Sequence, residues 1–381
     1  MDILYLNGKP KERITSMKKK SMLIIVLILT FVVSIFMFNK NHELVDKESL
    51  AVFIDDVKTD SFPSKGTVTF LKADCDSNAI IEWDKDSWGL FASNLTKKTK
   101  CNLYFKNLES INDKLNDLVK SDTTNIASDD PDGNIRYIGA SPSNYVYFNC
   151  SDYDNQTSDT CEIWRIIGLF KNINKEDGTK EDLVKIIKDD SIGSVAWDTN
   201  NSNIWANASL KSSFNSGIYY NKTLKNDATR NMIESVVWKL GSTTSFIGDS
   251  EGNPSSLYSA ERNSSNSNNW TGKIALMYPS DYGYAVGGSD RETCLSKSLY
   301  NWSSMPKCYN NNYLYKANIY QWTLMTNNLT GSYVYAVKSN GGFNYGNAYS
   351  TDDARPSLFL KSGIIINNGD GSRTNPYQLS F

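Results

Sequence analysis

"YVYAVKSNGGFNYGNAYSTDDARPSLFLK", Tyr333 to Lys361, decides how this chain is read. Two alternating runs rich in aromatic and β-branched residues flank Ser339-Asn340-Gly341-Gly342. Alternation with period two marks half-buried strands, and an Asn-Gly pair between them marks a tight hairpin. A short apolar run follows, Leu358-Phe359-Leu360, opened by Arg355 and Pro356. Proline lacks the N–H that a ladder needs, so it is tolerated only at the first residue of such a strand. Arg355 is expected to pair with Asp352 or Asp353, or to pin the preceding loop with its planar fork, a structural role.

Further strands are expected upstream at "GKIALMYPSD" and "YQWTLMTN", and before them at "NYVYFNC", "CEIWRIIGLF" and "EDLVKIIKDD". Two helices are expected between these groups. One is "NASLKSSFNS", capped at Asn207. The other runs through "KTLKNDATRNMIESVVWKLG", with Leu224, Ala228, Met232 and Val236 as a core stripe and Gly241 as its stop. Asp130-Pro131-Asp132-Gly133 is turn chemistry whose spacing misses the calcium-loop register, so no metal is expected there. Glu109 to Lys120 reads as a short amphipathic helix, with Ile111, Leu115, Leu118 and Val119 on one face. A Ser/Asp/Asn-rich linker follows it. Residues 61–106 read as a small all-β module with Trp83 and Trp88 between Cys75 and Cys101.

The 381 residues carry a net charge of −2, which does not favour a nucleic-acid partner. The first twenty residues are locally basic at +4. Met22 to Phe38 is an uncharged apolar run preceded by Lys18-Lys19-Lys20, and no small-residue cleavage pattern follows it. An uncleaved anchor through residues 21–38 is therefore expected, with a cytoplasmic tail at 1–20 and a stalk at 39–60. Met17 is a possible alternative start. Six cysteines beyond the anchor, Cys75, Cys101, Cys150, Cys161, Cys294 and Cys308, point to disulfides. Fifteen pairings are formally open, and nearest neighbours are the simplest. His42 is the only histidine and no C-x-x-C occurs, so neither zinc nor any other metal is expected. High Asn, Ser, Tyr and Lys usage resembles that of an AT-rich bacterial genome.

Several stretches in order resemble a known family: "NYVYFNC…CEIWRIIGLF", "AWDTNNSNIWANASLKSSFN", "KIALMYPSDYGYA", "QWTLMTN", the Tyr333–Lys361 stretch, and "NGDGSRTNPYQL". They resemble a set of uncharacterised bacterial cell-surface and phage-associated domains similar to the C-type-lectin and formylglycine-generating-enzyme (sulfatase-modifying factor) fold. The resemblance covers about residues 130–381. It implies an α+β class: a C-type-lectin-like mixed domain at 131–381 with an antiparallel sheet and two helices. A helix and linker at 107–130, the small all-β module and an N-terminal transmembrane helix precede it. It also implies that the final strand pairs with an early one, so that both ends of the domain close one sheet. "QWTLMTN" lacks the family's usual Arg, and Cys294 and Cys308 sit in an insert.

Ser-His-Asp and Cys-His arrangements fail because the only histidine, His42, is expected beside the membrane and outside the folded part. Copper-dependent oxidation of the formylglycine-generating kind needs a reactive cysteine pair, and all six cysteines are assigned to disulfides. No cofactor is expected. Tyr, Trp and Asn are abundant in expected loops, which suits contact with a glycan or a protein surface. The candidate ligand-binding residues are Trp322, Asn340, Asn344, Tyr345, Asn347 and Tyr349. The expected function is a non-catalytic, membrane-anchored binding or adhesion protein of the bacterial envelope. The alternatives are a glycan-acting enzyme using paired carboxylates, or a purely structural envelope component.

Overall fold

A computed structural model describes residues 2–5, 50–84, 87–94, 96, 99–243, 252–263 and 269–381. The chain divides into two compact units, Met1–Leu108 and Glu109–Phe381. Strands hold 37% of the described residues and helices 20%, spread over many sheets and short helical segments. This overturns the expected α+β, two-helix C-type-lectin-like class. The N-terminal transmembrane helix in that description has no counterpart among the described residues, where no helix is long and apolar enough to cross a membrane. Met22–Phe38, on which the anchor was expected, lies outside the described residues.

Local sequence explains the loss of helix. The expected helix through "KTLKNDATRNMIESVVWKLG" is helical as an α-turn segment only at Asp227–Met232. Asn226 caps it by accepting from the Thr229 N–H. Beyond it Ile233, Val236 and Val237 crowd a helix, and Val236–Trp238 instead pairs with Trp270–Gly272. The helix Ser209–Asn215 is shorter than expected and takes no cap from Asn207. Asp198, eleven residues upstream, accepts from its first N–H. Ile111–Ser121 forms as its periodicity predicts, capped by Ser110 and burying Ile111 and Leu115 in the core of the larger unit.

In the smaller unit, Leu50–Ile54 runs parallel to Cys101–Asn107, which pairs on its other side with Val68–Cys75. Leu50–Ile54 and Val57–Thr59 thus belong to the module, although they fall in the stretch expected to be stalk. Ile80–Asp84 and Gly89–Ser93 form a second sheet, to which Asp2–Tyr5 also pairs. Trp83 carries the contact between the sheets, packing on Phe70, Phe105 and Trp88. The Trp88 indole N–H donates to the Pro63 carbonyl. Cys75 and Cys101 are directly opposed across two strands and are bonded.

The larger unit is built on two main sheets, beside a two-stranded and a three-stranded one. In the first, Lys180–Lys188 lies between Glu162–Asn174 and Ser357–Phe359, and Ile274–Ala275 lies outside the latter. In the second, Gln321–Asn327 pairs with Tyr333–Val337, which forms the predicted hairpin with Phe343–Asn347. Thr351–Asp353 pairs with Ser194–Ala196 in this second sheet, so the chain changes sheets at Ala354-Arg355-Pro356. Here the Arg-Pro pair finds its reason. Pro356 needs no N–H partner, while its carbonyl accepts from Lys188. Arg355 donates through Nε to the Lys188 carbonyl at 2.9 Å, and through Nη1 to the Leu314 carbonyl at 3.0 Å and Gln321 Oε1 at 2.8 Å. One guanidinium therefore joins both sheets. It pairs with neither Asp352 nor Asp353; Asp353 instead accepts from Ser191 and Ser194.

The end of the chain folds back on the start of this unit, Ile365–Asn368 pairing with both Glu109–Ser110 and Gln378–Ser380. Cys150–Cys161 and Cys294–Cys308 are bonded as nearest neighbours, and both members of the second pair are buried in the core. Removing that second bridge by Cys294→Ala with Cys308→Ala is expected to lower the unfolding free energy by about 3 kcal/mol. Denaturant unfolding of the full chain checks this, and a reducing agent should bring the parent down toward the variant.

Candidate binding surface

The hairpin turn is set by sterics. Gly341 has a positive φ of 78°, and a Cβ there would meet the Tyr309 side chain at 2.2 Å. Lys338 N–H donates to the Gly342 carbonyl, and the Tyr282 hydroxyl donates to the Gly341 carbonyl. The register that follows places Tyr333 opposite Asn347 and Tyr335 opposite Tyr345. Alternation then sorts the side chains by face.

The six expected ligand residues separate along this hairpin. Trp322 is 1% exposed, with its indole N–H donating to the Val195 carbonyl, so no ring face remains for a ligand. Asn340 is exposed at the turn, where its side-chain oxygen accepts from Gly342 N–H. Asn344 is half-buried and accepts from Tyr345 N–H. Tyr345 and Asn347 lie on the returning strand Phe343–Asn347, and Tyr349 follows just beyond it. Tyr345 stacks on Tyr333 with ring centroids 4.6 Å apart and meets the buried Tyr335 edge-on. Asn347 accepts from the Ser332 hydroxyl. Tyr349 is 56% exposed, and its backbone N–H donates to Asn201.

A neighbouring loop borders the hairpin. Asp198 is buried and accepts from the N–H groups of Asn200, Ser202 and Ser209, which fixes the loop's path. The Asn203 amide then donates to the carbonyls of Asn327, Thr330 and Tyr333. Ile204 and Leu329, each about half exposed, are carried on these tied loops. Sequence reading missed both, because single exposed aliphatics carry no pattern. The loops that carry these aliphatics are tied to the hairpin by part-buried and exposed hydrogen bonds.

Buried carboxylates offer a contrast. Asp281 accepts from Arg136 at 2.9 Å, from Lys185 at 2.5 Å and from Tyr278 N–H. Burial pushes its carboxyl up, but Lys185 and Arg136 outweigh that and hold it below the ordinary range. Asp130, in the turn with partial calcium-loop character, spends its oxygens on Asp132 and Asn134 N–H groups, the Asn134 amide and Arg136 Nε. Glu261 accepts from Ser280 twice and from Arg262. Among the described residues no group of three or more His, Cys, Asp and Glu side chains is placed to hold a metal. A second charged cluster, Arg165, Lys316 and Arg373 around Asp189 with Arg355 beside it, draws on positions too scattered for sequence reading to join.

Searches against family models, curated proteins and solved structures gave no match to this chain.

Burial pushes the Glu261 carboxyl up to about 7, with Asp281 adding to the rise and Arg262 and Ser280 opposing it. The folded state therefore holds this proton more tightly than the unfolded state, whose pKa is the ordinary 4.5. Its contribution to stability should fall as pH rises from about 4.5 to 7, by on the order of a few kcal/mol. Asp281 and Asp130 act oppositely, but only as pH drops toward and below 3.8. Unfolding free energies at pH 5 and pH 8 should differ in the parent, and Glu261→Gln should flatten that difference.

Proposed function

We propose that this chain is a non-catalytic binding protein of the bacterial envelope, with its folded units outside the cytoplasm. The observation that carries the binding reading is the end of the hairpin: the stacked Tyr333–Tyr345 pair, exposed Tyr349, Asn347 and the tied loop bearing Ile204. Flat rings with adjacent amides are suited to the apolar faces and hydroxyl rims of a glycan, our preferred ligand class. Because the rings are fixed before any ligand arrives, little ordering cost is added on binding.

The three disulfides support an oxidising location. The placement of residues 1–20 in the cytoplasm does not fit the pairing of Asp2–Tyr5 with Gly89–Ser93, since hydrogen-bonded strands share one side of a bilayer. The proposal accordingly rests its location on the disulfides alone and not on the basic tail or a single membrane span. The carboxylates of the core support binding over glycan cleavage. Asp130, Asp281 and Glu261 are buried and engaged by neighbouring donors, an arrangement that gives a general acid no route to substrate.

The full chain in non-ionic detergent, applied to an array of bacterial surface glycans, should retain a defined subset. Tyr345→Ala and Tyr349→Ala should each weaken that retention by about tenfold, the loss of one well-placed aromatic contact. Absence of any glycan signal, or variants indistinguishable from the parent, would contradict the proposal.

A further inference from the structure

Asp189 is almost fully buried, with a side-chain exposure of 3%, and three cations converge on it. Lys316 Nζ lies 2.8 Å from one carboxylate oxygen and Arg165 Nη1 3.6 Å from the same oxygen, while Arg373 Nη1 lies 3.8 Å from the other. Arg355 reaches the same neighbourhood, since its Nε donates to the carbonyl of Lys188, the residue before Asp189. Asp190 is the exposed neighbour of Asp189 in the chain and also acts on Arg355, Lys316 and Arg373. Four cations thus share two acids, and only one of those acids is buried.

The remaining polar valences are unevenly filled. Arg165 is anchored through Nε to the Asn144 side chain at 2.6 Å and stacks on Tyr145 at 3.7 Å and Tyr313 at 4.8 Å. Arg355 uses Nε and Nη1, whereas its buried Nη2 has no hydrogen-bond partner. In a planar guanidinium the Nε–H and the inner Nη2–H point the same way, so Nη2 faces the Lys188–Asp189 side. Burial pushes Arg355 down to about 10, and Arg165 adds to the fall. Lys316 is likewise lowered, first by burial and next by Arg355. These cations repel one another in a poorly hydrated place, and a buried donor left unmade is costly.

We propose that Arg165, Lys316, Arg355 and Arg373 form a binding site for one anionic oxyacid group, a carboxylate or a phosphate, carried by an extracytoplasmic ligand. Access is from the side of Lys316 and Arg373, whose side chains are 27% and 73% exposed, while Arg165 and Arg355 form the floor. Arg355 supplies the open Nη2 donor and Lys316 and Arg373 supply charge at the mouth. Asp189 keeps the cations together and leaves net positive charge for the ligand. The site uses neither Tyr345 nor Tyr349, so it stands or falls apart from the glycan reading above.

Thermal unfolding of the full chain in non-ionic detergent, followed by tryptophan fluorescence, tests it. Sodium phosphate and sodium acetate are titrated separately against sodium chloride at equal ionic strength and pH. A saturable rise in midpoint with either anion, absent with chloride, is expected; response to acetate alone assigns a carboxylate, and response to phosphate alone a phosphate. Lys316→Met and Arg373→Met should each raise the apparent dissociation constant by about tenfold, as expected for one charge-assisted hydrogen bond. Arg373 is mostly exposed, so its variant folds and reports even if Lys316→Met does not. Midpoints that follow ionic strength alone, or a saturable rise undiminished in Arg373→Met, would overturn the proposal.

Discussion

A single guanidinium ties the two main sheets of the larger unit. Arg355 sits where the chain leaves one sheet and enters the other, and its Nε and Nη1 reach acceptors on both. Leu358, Phe359 and Leu360 follow at once and are buried in the core. If the joint moved, Ser357–Phe359 would lose its register between Lys180–Lys188 and Ile274–Ala275. A lysine cannot take this place, because a point charge does not offer parallel donors in one plane.

Buried charge then locks the layer beneath. Lys185 and Arg136 come from strands of the first sheet, and Asp281 comes from the helix Pro279–Tyr284. Phe170, Trp238, Tyr278 and Phe359 surround Lys185. Removing one partner from such a web strands the others without water, which is far costlier than losing an exposed pair. The same helix sends the Tyr282 hydroxyl to the hairpin turn at Gly341. The path from the buried charges to the hairpin is therefore a short chain of hydrogen bonds, and the ring surface at the hairpin's far end inherits its rigidity.

What the sequence disclosed follows from how local each signal is. The hairpin around Ser339–Gly342 and the helix Ile111–Ser121 were legible because a turn motif and a 3.6-residue stripe are complete within a dozen residues. Nearest-neighbour disulfides were legible for the same reason. The helix expected through Val236 failed because a core stripe does not distinguish a helix from a helical turn followed by a strand. Asp198 as a remote helix cap and Arg355 as an inter-sheet tie were hidden, since their partners lie eleven and as many as 167 residues away. Of the candidate site, Tyr345 and Asn347 share the returning strand and Tyr349 is exposed just beyond it, whereas Trp322 belongs to the core because exposure is a tertiary property. The α+β class was inferred from motif order alone, and motif order does not count sheets.

The two surfaces described differ in chemistry and are placed by the same scaffold. One presents rings and amides; the other gathers cations over a single buried acid. Both require the inter-sheet joint to hold, and the most direct measurement is the unfolding free energy of Arg355→Lys together with amide exchange in Gln321–Asn327 and Ser357–Phe359. A loss of about 3–5 kcal/mol, with protection falling in both strands, is predicted, since buried acceptors are left unmet. A change within about 0.5 kcal/mol with both strands still protected would contradict the account.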